Sequence, residues 1–169
     1  MAFSIYDAAV TPCAQQLGAL VGILDKAAAH CADRKIDEAA LLTDRLFPDM
    51  FTLARQIRQA TDFGRNTPGR LAGAAQPDFA ATDDASFAAA KERTERSLAF
   101  VKSLTREQLD GSESKEIVWM AGGNERRMIG LQYLQWFGLP NFYFHVTTAY
   151  NILRHRGVEI GKRDFLGPA

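Results

Sequence analysis

The chain has 169 residues, with 47% hydrophobic and 24% charged residues and equal counts of 20 acidic and 20 basic side chains. That length supports one domain over 1–169 with a real core and leaves little room for two. A net charge of zero offers no basic stripe for nucleic acid and no polybasic patch for lipid, so neither is expected as a partner.

The N-terminus, MAFSIYDAAVTP, lacks a basic region ahead of an apolar run and does not read as a signal peptide. No window approaches the ~20 apolar residues of a membrane span. A cytoplasmic location is expected by default. The first helix carries an apolar stripe, Cys13, Leu17, Leu20, Leu24, Ala28 and Cys31, spaced by three or four. It starts either at Ser4 with Asp7 or at Thr11-Pro12, bends near Pro12, and ends around Ala32–Lys35. Cys13 and Cys31 lie on one face about 27 Å apart, too far for a disulfide, and read as small core residues or as a reactive thiol.

A short turn, Asp37–Leu42, leads to Leu46-Phe47-Pro48. Pro48 suits a first helical position, which predicts a second helix through Asp49, Leu53, Ile57 and Ala60, weakened by Gly64, Pro68 and Gly69. Ala74–Ala81 reads as a loop. A third helix is expected from Thr82-Asp83, with Phe87, Ala90, Thr94, Leu98, Val101 and Leu104 on its inner face. Thr105 and Gln108 then match a capping box.

The period next changes to two. Glu116–Met120 and Glu125–Ile129, joined by Ala121-Gly122-Gly123-Asn124, predict a small β-hairpin that must lean on the bundle. Trp119 and Trp136 flank it and are placed to cover one end of the bundle. The fourth helix starts weakly at Leu131–Phe137, is interrupted at Gly138-Leu139-Pro140, and runs from Asn141 to Arg156, with Gly157 as its stop. The tail, Val158–Ala169, reads as an extended arm. Four amphipathic helices and one hairpin give an all-α bundle, because each apolar stripe needs partners to bury it.

Polar residues on inward faces mark the candidate site. On the fourth helix His145 lies about 60° from Phe142 and within about 40° of Ala149 and Ile152. On the second, Asp49 and Gln56 each lie within about 60° of Leu53. A histidine and a carboxylate facing one interior make a metal pair, an acid–base pair or a buried hydrogen bond, and the residues alone leave the three open. The aromatic run Phe142-Tyr143-Phe144, with Tyr150, reads as core and subunit interface.

The segments Arg45–Met50 with Leu53 and Gln56, Pro140–Tyr150, Ile152–Gly157 and Gly161–Gly167 resemble a microbial domain-of-unknown-function family. That family lies within the DinB-like (YfiT-like) superfamily of four-helix-bundle metalloenzymes. The resemblance implies a DinB-like four-helix bundle with a small β-hairpin before the last helix. It implies that the first two helices are parallel neighbours and that the protein is a homodimer. It also implies a divalent-metal site, one histidine on the second helix and a His-x-x-x-His pair on the fourth, serving thiol transfer, isomerisation or hydrolysis. Here only His145 fits; Asn141 and Ala149 stand four positions either side, and the second helix offers Asp49 and Gln56. The expectation is therefore a degenerate metal site with no metal or other cofactor. In its place stands an inter-helix pocket lined by Asp49, Gln56, His145 and Tyr150 that binds a small molecule. The alternative is an enzyme of transferase or hydrolase type, with His145 and Asp49 as acid–base pair or residual metal ligands.

Overall fold

A computed structural model describes residues 4–167. Its elements are α1 (Ile5–Arg34), α2 (Glu38–Leu42), α3 (Leu53–Leu71), α4 (Phe87–Ser103) and α5 (Arg106–Leu109). A hairpin of β1 (Glu116–Ala121) and β2 (Asn124–Ile129) follows, then α6 (Gly130–Gln132), a π-helical segment Tyr133–Gly138, α7 (Leu139–His155) and α8 (Lys162–Leu166).

The four long helices are α1, α3, α4 and α7, and their buried faces form one continuous core. Ser4 caps α1, its hydroxyl accepting from the Asp7 amide, and the helix runs unbroken through Pro12. Both cysteines lie buried on α1, and burial pushes both thiols above their ordinary range, which suits core residues rather than thiolates.

Helix directions follow from side-chain neighbours. Gly18 lies beside Leu98 and Asp25 pairs with Lys91, so α1 and α4 are antiparallel. Thr61 meets Thr94 and Gly69 meets Phe100, so α3 and α4 are parallel. The second and third long helices are therefore parallel neighbours, and the first and second, which the resemblance implied to be parallel, run in opposite directions. The long connection after α3 allows this, because an extended chain covers ~3.3 Å per residue and a helix only ~1.5 Å. It is pinned on the way: Arg93 clamps Asp84 and the carbonyls of Ala80 and Thr82, and Phe79 lies under the guanidinium groups of Arg65, Arg93 and Arg96.

Several boundaries differ from the sequence reading for local reasons. The second long helix starts at Leu53, capped by the Thr52 hydroxyl; Pro48 and Asp49 instead sit inside a turn closed by the Met50 amide on the Phe47 carbonyl at 2.9 Å. That helix also continues through Gly64 and Pro68. Its glycines serve close approach: a Cβ on Gly64 would stand 2.8 Å from the Phe142 ring and 3.0 Å from Leu17. α4 starts at Phe87 behind a Ser86 cap, which frees Asp83 and Asp84 for Arg58 and Arg93.

Gly138-Leu139-Pro140 does not interrupt the last helix. Pro140 cannot donate to a carbonyl one turn back, and the chain absorbs this by widening to π pitch, with the Leu139 amide reaching Leu134. The Asn141 side-chain Nδ2 then donates to the Phe137 carbonyl at 2.7 Å. The hairpin has a two-residue turn, Gly122-Gly123, both at positive φ (58° and 78°), the conformation of a hairpin turn that favours glycine. Ile117 and Trp119 point inward from β1. The tail is extended only through Ile160; α8 then lies across α1, where Gln16 holds the Phe165 carbonyl at 3.0 Å. Pro168 and Ala169 lie outside the described residues.

Candidate functional site

The seam between α3 and α7 holds the inward polar pair. The two helices run antiparallel, since Gly64 meets Phe142 and Thr67 meets Gly138. This brings Gln56, one turn into α3, level with His145 in the middle of α7. His145 Nδ1 lies 2.7 Å from Gln56 Oε1. A carbonyl oxygen only accepts, so Nδ1 carries the proton and donates, leaving Nε2 with a free lone pair. Both side chains are buried, and burial drives the imidazole pKa down to about 4. His145 is therefore neutral at physiological pH.

Aromatic rings complete its surroundings. Phe51 and Phe63 stack on the imidazole at centroid distances of 6.3 and 5.6 Å, and Phe144 meets it edge-on at 5.2 Å. Among the described residues Nε2 has no hydrogen-bond partner, yet it is not among the fully sealed polar atoms.

Of the four residues expected to line one pocket, the structure brings together two. Asp49 is exposed in the turn before α3, because the helix it was expected to ride begins four residues later. The imidazole tautomer is set by Gln56, not by Asp49. Tyr150 sits about 140° around α7 from His145 and packs edge-on against Phe165 of α8, at 5.7 Å.

The donor set does not suit a divalent metal. Among the described residues no three His, Cys, Asp or Glu side chains converge. Around His145 stand an amide oxygen already turned to Nδ1 and three phenyl rings, where a metal requires further charged or imidazole ligands.

Open space beside this seam lies further along α3. A cleft of about 150 Å³ is walled by Gln59, Asp62, Phe63, Asn66 and Arg70 of α3, by Trp119–Ala121 of β1, and by Phe137. Its rings form one array, Phe63 to Phe137 at 5.7 Å and Phe137 to Trp119 at 4.8 Å, backed by the buried Tyr133 ring at 4.9 Å from Trp119. The same Phe63 ring stacks on His145, so it forms the partition between the polar seam and the cleft.

This cleft was not singled out from the sequence. The signal was present in the spacing of residues 59, 63, 66 and 70, which puts three polar side chains on the stripe of Phe63. What the spacing lacked was the opposite wall, which the hairpin supplies.

Comparisons with known proteins give a family match and structural matches. Residues 5–166 match the family model described as a domain of unknown function (DUF1993). A crystal structure described as a DinB family member protein from Shewanella denitrificans is similar with a TM-score of 0.88 at 31% identity, covering 98% of this chain and 93% of that one. The fold is therefore DinB-like. No curated protein matches the chain. Among the described residues no helix is long and apolar enough to cross a membrane.

Proposed function

The chain belongs to the DUF1993 family, and from that premise we propose that it is a small-molecule-binding protein whose ligand sits in the cleft between α3, β1 and the π-helical segment. The observation that carries this reading is the cleft's composition. Three aromatic rings and a few convergent polar groups, Gln59, Asp62, Asn66 and Arg70, are the ingredients of a small-molecule site. The zero net charge supports a small molecule over nucleic acid or a lipid surface. Thermal-shift screening of a fragment library tests it. Binders stabilise the wild type as their concentration rises, and Ala121→Phe, which fills the cleft mouth, abolishes that shift. Binders that stabilise both proteins equally, or a library with none, would sink the reading.

Acid–base use of His145 is the second reading, and the accessible Nε2 lone pair is what favours it. A pKa of about 4 makes this imidazole a weak base at neutral pH, so the ligand-binding reading is preferred. Asp49 takes no part, being exposed in a turn outside the seam.

We also propose a homodimer. Phe47, Trp136 and Phe144 are 64%, 67% and 55% exposed, a large apolar exposure for three aromatic side chains. Sedimentation of the wild type and of a Phe47→Ser, Trp136→Ser variant tests it: the wild type is expected to run as a dimer and the variant as a monomer.

A further inference from the structure

The charges around the cleft are not balanced. Asp62 is answered twice, by Arg65 at 3.1 Å and Arg58 at 4.0 Å. Arg70, eight residues further along the same helix, has only a neutral partner: its Nη1 donates to the Tyr133 hydroxyl at 3.0 Å. Burial pushes that phenol above its ordinary range, so it carries no charge near neutral pH. Among the described residues no carboxylate lies within ion-pairing distance of Arg70.

The hairpin brings a second such group. Its register sets Arg126 directly opposite Trp119, so both share the strand face that turns toward the bundle. The neighbouring Arg127 is held by Glu116 and Glu125 at 2.9 and 2.7 Å, while Arg126 has no carboxylate partner among the described residues. Arg126 lines an adjoining cleft of about 580 Å³ that shares Trp119, Ala121 and Phe137 with the first. Two unpaired guanidinium groups therefore border one aromatic wall.

A guanidinium fork matches a carboxylate in plane, through two parallel N–H···O bonds. Flat aromatic walls take a ring, and about 150 Å³ is roughly the size of cavity that holds one benzene. We infer that the cleft takes a small one-ring aromatic carboxylate, its ring against Phe63, Trp119 and Phe137, its carboxylate on Arg70, with Arg126 at the entrance. This rests on the small-molecule reading above and specifies the ligand class.

The test uses benzoate and phenylacetate as probes, benzamide as a neutral counterpart, and inorganic phosphate as a bare anion. Binding is read by calorimetry and by the Trp119 indole N–H resonance, assigned with the help of Trp136→Phe. The acids should shift that resonance saturably. Arg70→Gln should weaken them by about tenfold or more, the worth of a charged hydrogen bond, and leave benzamide unchanged. Arg70→Lys, which keeps the charge and loses the fork, should fall between. If benzamide binds as tightly as benzoate, if phosphate competes equally, or if well-folded Arg70→Gln binds benzoate normally, the carboxylate inference is wrong while the pocket stands. If none of the probes moves Trp119 in the wild type, the aromatic-carboxylate inference falls, and the fragment screen with Ala121→Phe decides the pocket reading separately.

Discussion

Two polar places lie along the same helix α3 and differ in one respect. At Gln56 the buried amide oxygen and the buried imidazole nitrogen satisfy each other at 2.7 Å, with aromatic rings on three sides. At Arg70 the guanidinium meets only a neutral phenol, and its remaining donors face a cleft. Buried polar groups that meet each other hold a fold together, whereas a half-buried cation facing open space with no counter-charge is available to a ligand. The histidine that draws the eye in the sequence thus reads as architecture. The arginine that looks like an ordinary helix end is the better candidate for contact with a ligand.

The sharpest way to break this contrast is His145→Ala. It strands the buried Gln56 carbonyl and leaves a cavity among three rings, and should cost about 3 kcal/mol in denaturant unfolding. The double variant Gln56→Leu, His145→Phe removes both polar partners together and should lie within about 1 kcal/mol of wild type while keeping ligand binding. A stable double variant that has lost binding would move the functional centre back to the seam.

Acid tests the same pair more gently. The folded imidazole titrates at about 4 and an unfolded one at about 6.5, so between these values the unfolded chain binds more protons. Its contribution is complete above pH ~6.5 and is lost as pH falls toward 4, a decrease of about 2–3 kcal/mol. Denaturant midpoints measured across that window should show the loss in wild type and a flatter profile in the double variant.

Gly64→Ala probes the seam without touching its polar atoms. The added methyl would stand 2.8 Å from Phe142, so a loss of about 1–2 kcal/mol in thermal melting is expected despite alanine's better helix propensity. Arg70→Gln should be smallest in stability, under about 1 kcal/mol, because its group is partly solvated. A large loss of stability there would make Arg70 a structural residue and erase the contrast.

Much of the fold was legible because periodicity records which face is buried. The stripes of α1 and α4, the hairpin with its paired glycines, and the inward direction of Gln56 and His145 all follow from spacing. Asp49 shows the limit: it shares a face with Leu53 only if a helix joins them, and the Thr52 cap together with the turn at Pro48 starts that helix later. Glycine and proline were misread in the same way. Gly64 and Pro140 look like breaks along the chain, yet one admits the Phe142 ring and the other is absorbed by a wider helical turn.

The sequence by itself determined most of the element types, the mainly helical class with its hairpin and the inward direction of Gln56 and His145, because these depend on interactions within a few positions of the chain. The tertiary structure alone decided which inward residues meet. Gln56 and His145 are 89 positions apart, and Arg70 and Tyr133 are 63. Their pairing depends on helix direction, on the π turn's shift in phase and on where the hairpin comes to rest. None of these is written in the spacing of either segment, since each is settled only when separate surfaces pack against one another.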